Sequence, residues 1–200
     1  MHRNLMAILR GVQPFEAVSM GEALVNAGIS QIEVPLNSPD ACQSIALLSQ
    51  HLAGAASIGA GTVLNVEDVA NVHAAGGTFI VSPNCDVDVI QATKALAMAS
   101  YPGVMTPSEC FLALQAGADC LKLFPAFMLG VAGFKAMQAV LPEGTQCYAV
   151  GGIDSGDFAL WRQAGIGGFG LASNLYKPGD QAGQVAAKAR LLVQAWDQCQ

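Results

Sequence analysis

The sequence predicts an α/β fold in which eight strand–helix units close into a (β/α)8 barrel, and three of its features do so. Hydrophobic residues make up 52% of the 200 residues and charged residues only 12%. The usual charged share is about 25%, so the strands are expected to be covered on both faces. Ala27-Gly28, Ala75-Gly76, Ala116-Gly117 and Ala164-Gly165 each close an apolar helical stretch ahead of a strand-like run, and glycine just past a helix supplies the left-handed cap. Those glycines are 48, 41 and 48 residues apart, room for two strand–helix units in each interval. No linker or low-complexity break interrupts the chain. It therefore reads as one domain over residues 1–200, a single-domain TIM barrel at the small end of that architecture.

The elements follow in order. Residues 5–9 form an apolar first strand, and Gln13-Pro14 starts a helix with proline at its first position. Residues 31–36 alternate with period two, Gln31 and Glu33 on one face and Ile32 and Val34 on the other. Ser38-Pro39 is the next helix start by the same proline rule. Strand three covers 57–60 and leads into Gly59-Ala60-Gly61-Thr62, a close backbone approach with a hydroxyl beside it. Strands four (78–81) and five (98–101) end in Pro83 and in Tyr101-Pro102-Gly103, which act as turn residues or shape a pocket wall. Thr106-Pro107 with Glu109 forms a capping box. Strands six (120–124), seven (146–150) and eight (167–171) complete the set, with a helix after the last.

Net charge is −6 with no basic cluster, which excludes nucleic acid and anionic membranes as expected partners. The six cysteines and three histidines are dispersed without metal-ligand spacing, so a reaction without metal or other cofactor is expected. Mean hydropathy is positive, yet every apolar stretch is broken before about 18 residues and the N-terminal run is short for a signal peptide. A cytoplasmic protein with reduced thiols is the expectation.

Lys122 is the most informative side chain. It stands in Asp119-Cys120-Leu121-Lys122-Leu123-Phe124-Pro125, an apolar run that reads as a buried strand, and it is one of five lysines (Lys94, Lys122, Lys135, Lys177, Lys188). Burial penalises an ammonium, so the amine should deprotonate well below about 10.4 and become a nucleophile for a carbonyl. The alternatives are a structural pair with a buried carboxylate, or a stem that carries its charge to the strand end. Alternation in strands two and six sends both Glu33 and Lys122 into the barrel if the aliphatic residues face the helices. Cys120 would be inward too, as filling. A carboxyl and an amine in one dry interior suit acid/base work on an imine.

Val150-Gly151-Gly152-Ile153 follows strand seven, and Gly167-Gly168-Phe169-Gly170-Leu171-Ala172-Ser173-Asn174 follows or completes strand eight. Loops at these places commonly hold phosphate, with backbone N–H groups converging where no side chain intervenes. Tight turns alone would also explain the glycines. Arg10 ends strand one, where a guanidinium can take a ligand carboxylate or form a rim ion pair.

Taken in order, Glu33 in EVPLNSP, then IGAGTVLN, VSPN, PGVMTPSE, LKLFPA, AVGGI and GLASNLY resemble the 2-keto-3-deoxy-6-phosphogluconate/-galactonate aldolases along nearly the whole chain. The resemblance implies that Lys122 is the Schiff-base lysine and Glu33 the general acid/base. It places Arg10, Thr62 and Pro83 around a phosphorylated keto acid, and Gly151, Gly152, Gly170, Leu171, Ala172 and Ser173 at its phosphate. Pro35 and Asn37 look like the galactonate branch, where gluconate enzymes typically have Thr and Arg. The implied substrate is 2-dehydro-3-deoxy-6-phosphogalactonate, with Asn37 among the binding residues. The sequence departs from that branch at Ala172 and Asn174, where Gly and Asp are usual. A homotrimer is also implied, and apolar outer helices would have surface to bury in one. The alternatives are the gluconate epimer, a non-covalent phosphate-binding isomerase or synthase barrel, and a ligand-binding barrel without catalysis.

Overall fold

The chain alternates strand and helix from end to end in a computed structural model that describes residues 3–199. Nine strands are β1 Leu5–Ile8, β2 Gln31–Pro35, β3 Ser57–Gly61, β4 Phe79–Val81, β5 Ala99–Tyr101, β6 Gly103–Val104, β7 Leu121–Leu123, β8 Cys147–Val150 and β9 Gly168–Leu171. The helices are α1 Pro14–Ala27, α2 Ala41–His51, α3 Val66–Ala74, α4 Val87–Ala95, α5 Pro107–Gln115, α6 Ala126–Gln138, α7 Phe158–Gln163 and α8 Ala182–Asp197. A short 3-10 turn, Ser155–Asp157, precedes α7.

All paired strands are parallel, in the order β5-β4-β3-β2-β1-β9-β8-β7-β6. The two ends of that order are consecutive in the chain, so the sheet closes on itself through Pro102. The expected fifth strand is one stave broken in two. Proline has no N–H to give a ladder, and on either side of it the stave bonds to different neighbours, β5 to β4 and β6 to β7. The Pro102 carbonyl still accepts from Lys122 N at 2.9 Å. Eight staves therefore form the barrel.

Alternation along the strands separates two apolar layers. Leu5, Ala7, Ile32, Val34, Leu121 and Leu123 face the helices in the main core. Met6, Ile8, Phe79, Val81, Cys120, Tyr148 and Val150 fill the barrel, Cys120 among them as the period predicts. Gly59 and Gly168 lie inside strands rather than in loops, because the interior has no room for their side chains. A Cβ on Gly59 would stand 2.5 Å from the Phe79 ring, and one on Gly168 2.6 Å from that of Tyr148.

Local chemistry sets most helix ends. Glu109 N donates to Thr106 Oγ1 at 3.3 Å while Thr106 N donates to Glu109 Oε2 at 2.8 Å, which closes the capping box of α5. Gly28, Gly76, Gly117 and Gly165 have φ between 85° and 100°, the left-handed region in which glycine carries no steric cost. One start differs from the sequence reading. Helix α2 begins at Ala41, after Asp40, and not at Pro39. Ser38 is held in a turn instead, its N–H donating to Pro35 O and its Oγ accepting from Gly11 N at 2.8 Å. No helix among the described residues is long and apolar enough to cross a membrane.

Candidate active site

Residues on a barrel's inner face point away from every helix, so a charged group there is desolvated by the apolar side chains that fill the barrel. Glu33 on β2 and Lys122 on β7 are 1% and 6% exposed. Burial is the largest influence on each. It pushes the Lys122 ammonium below its ordinary pKa, against the pull of Glu33, and Arg10 lowers it further. It pushes the Glu33 carboxyl above its ordinary pKa, while Lys122 and Arg10 pull it down. Both shifts favour the uncharged forms, because desolvation outweighs an attraction acting across a gap. Among the described residues no ion pair joins the two. The purely structural pair left open by the sequence is therefore not formed. Lys122 Nζ lies 4.7 Å from the centroid of the Phe124 ring, which gives its cationic form one favourable contact.

The polar rim beside this pair comes from three loops. Arg10 Nη1, just past β1, donates to Asn37 Oδ1 at 2.5 Å and to Thr62 Oγ1 at 3.4 Å. Thr62 has φ 57°, a left-handed conformation that is costly for a β-branched residue and persists where the surroundings impose it. The three residues are thereby brought together at the mouth, with Asn37 holding the guanidinium that the sequence left free. Pro83 meets the opposite wall through its backbone. A Cβ on Gly103 would run into the 83–84 peptide, and Gly103 N donates to Asn84 O at 3.2 Å.

The loops after β8 and β9 enclose a cavity of about 260 Å³, lined by Gly151, Gly152, Gly170, Ala172, Ser173 and Asn174 together with Ile153 and Asp154. Gly151 and Gly152 have φ 93° and 72°, so their N–H groups take directions closed to other residues. Leu171 differs from its neighbours: its side chain is wholly buried in the outer core, and it is not among the residues that line the cavity. Asn174, one of the two departures from the resembled pattern, donates from Nδ2 to Ile153 O at 3.0 Å and ties the two loops together. The cavity is also joined to α6, the helix that follows the lysine strand. Phe127 N donates to Gly151 O at 3.2 Å, and a Cβ on Gly152 would come 2.8 Å from Phe127 Cβ.

Sequence reasoning missed a second cavity of about 330 Å³ that shares Ala172 and Ser173 and runs to Ile8, Arg10, Tyr176 and Lys177. It connects the guanidinium to the glycine loops and adds a lysine to their rim. Tyr176 is anchored by donating to Glu16 Oε1 at 2.9 Å, which ties the last loop to the start of α1. Below Lys122, Gln31 Nε2 donates to Tyr101 Oη at 2.9 Å and Tyr148 Oη lies 3.5 Å from Gln31 Oε1. Period two placed Gln31 beside Glu33, and that signal pointed to this layer. The site thus offers an amine held below and a carboxyl held above its ordinary pKa, a fixed guanidinium, and a glycine-walled cavity suited to an oxyanion.

Comparison with known proteins finds relatives along nearly the whole chain. The family model described as KDPG and KHG aldolase matches residues 1–175. A protein of Rhizobium meliloti (strain 1021), "Probable 2-dehydro-3-deoxy-6-phosphogalactonate aldolase", is 44% identical over 98% of this chain and 93% of its own length. The "2-dehydro-3-deoxy-6-phosphogalactonate aldolase" of Escherichia coli (strain K12) is 41% identical over 96% of this chain and 94% of its own. The solved "Native KDPGal structure" superposes with a TM-score of 0.97 at 40% identity, covering 100% of this chain and 97% of that one.

Proposed function

We propose that this chain, which belongs to the KDPG and KHG aldolase family, cleaves 2-dehydro-3-deoxy-6-phosphogalactonate to pyruvate and D-glyceraldehyde 3-phosphate through an imine on Lys122. The observation that carries this reading is the buried amine of Lys122, held below its ordinary pKa beside a buried carboxyl. Neutral Lys122 attacks the C2 ketone, and loss of water gives an iminium ion. That new positive charge favours the ionised form of Glu33 at the stage where a base is needed. Glu33 accepts the C4 hydroxyl proton, directly or through one water. The C3–C4 electron pair then moves into the iminium, glyceraldehyde 3-phosphate leaves, and a pyruvate enamine remains. Protonation at C3 and hydrolysis release pyruvate and restore the amine.

Arg10, oriented by Asn37 and Thr62, takes the carboxylate of the keto acid, and Pro83 closes the wall across from it. Gly151, Gly152, Gly170, Ala172 and Ser173 hold the phosphate, and Lys177 stands at the rim of the connected cavity. The assembly proposed is a homotrimer in the cytoplasm. Phe127 and Met128, each 67% exposed, are apolar surface that packing between copies would cover.

The substrate branch is tested by a coupled assay on the two C4 epimers. The galactonate epimer should give the higher kcat/KM; a higher value for the gluconate epimer would move the assignment to that branch. The pH profile tests the chemistry. Free amine is the reactive form, so kcat/KM should climb as pH passes the lowered Lys122 value and level off below the ordinary 10.5. A profile still climbing through 10.5 would mean that the reacting amine is not depressed.

A further inference from the structure

Building on the acid/base role proposed for Glu33, we infer that Gly61 is a positioning residue, whose missing side chain provides the notch that aims the Glu33 carboxyl at the catalytic end of the barrel. Catalytic carboxylates are usually oriented by hydrogen bonds from neighbouring groups. Here Glu33 Oε2 is buried with no hydrogen-bond partner among the described residues. Shape supplies what donors do not. In the β2–β3 register Glu33 pairs with Gly59, and Gly61 pairs with Pro35, two residues further toward the C-terminal ends of the strands. The Glu33 side chain leans along this diagonal and comes to rest over Gly61. A Cβ on Gly61 would overlap the carboxyl group, and even Glu33 Cγ would be only 2.8 Å away. The three atoms nearest that Cβ all belong to Glu33.

Gly61 is not required by its own backbone, since its φ lies outside the left-handed region that holds its neighbour Thr62. The space above it is what the position supplies. Gly59, one step down the same face, gives its space to Phe79 instead. Successive inward glycines of β3 thus serve two ends: the lower admits a core ring and the upper admits the reacting carboxyl.

The test is a cycle of Gly61→Ala and Glu33→Ala, alone and together, with steady-state kinetics and thermal melts. In the otherwise unaltered chain, Gly61→Ala should lower kcat by about 100-fold with KM changed by less than about threefold. It should also lower Tm by roughly 5 °C through overpacking. In the Glu33→Ala background the same substitution should change neither the residual kcat nor the Tm, because the group it strikes is gone. If Gly61→Ala unfolds the chain alone but not beside Glu33→Ala, the coupling is equally established. Equal losses in both backgrounds would overturn it. Borohydride trapping of the unaltered enzyme with pyruvate separates the two readings: absence of a Lys122 adduct would remove the aldolase mechanism, while coupling in the melts would remain.

Discussion

Lys122→Met is expected to lower turnover by on the order of 10⁵-fold while the barrel still folds, because the substitution removes the nucleophile and little else. Methionine fits the same unbranched volume, and its apolar end carries no desolvation cost in an interior that already holds Phe79, Tyr148 and Val150. The Lys122 ammonium is opposed by that interior, so the fold does not depend on it. Steady-state assay with far-UV circular dichroism reads both halves of the prediction. Residual turnover within about tenfold of the parent would show that the amine is not the nucleophile.

Glu33→Gln should slow carbon–carbon cleavage by roughly 10³-fold while an imine with pyruvate still forms. The amide keeps the shape that rests over Gly61 but cannot take the C4 hydroxyl proton. Its effect on Lys122 has a definite sign. Glu33 is the one influence that raises the Lys122 pKa, against burial and Arg10, so removing its charge should lower that pKa further. The rising limb of kcat/KM should therefore move to lower pH in this variant. Single-turnover trapping separates the steps, and loss of imine formation along with cleavage would place the role of Glu33 earlier, in carbinolamine formation or dehydration.

Much of this was legible in the residues because a barrel strand alternates between two faces with period two. Ile32 and Val34 face the helices, so Glu33 faces inward; Leu121 and Leu123 do the same for Lys122. The Ala-Gly caps and the Thr106–Glu109 box are local chemistry, and local chemistry is visible in one dimension. What stayed hidden depends on register between strands. The Gly61 notch follows from a β2–β3 pairing that period two does not specify. Closure through Pro102 follows from two neighbours claiming opposite halves of one stave. Pro39 misled because proline suits a turn as well as a first helical position, and the hydrogen bond of Gly11 to Ser38 favoured the turn. Lys177 lies six residues past the last strand, and only the return of that loop toward Arg10 puts it beside the cavity.

The imine on Lys122 is the claim on which the other assignments depend, and reduction with borohydride in the presence of pyruvate, followed by intact-mass and peptide analysis, tests it most directly. One reduced pyruvate per chain, carried on the peptide containing Lys122, is the result expected. A folded, phosphate-binding protein with no adduct, or with its adduct on another lysine, would contradict it and return the chain to the non-covalent phosphate-binding barrels.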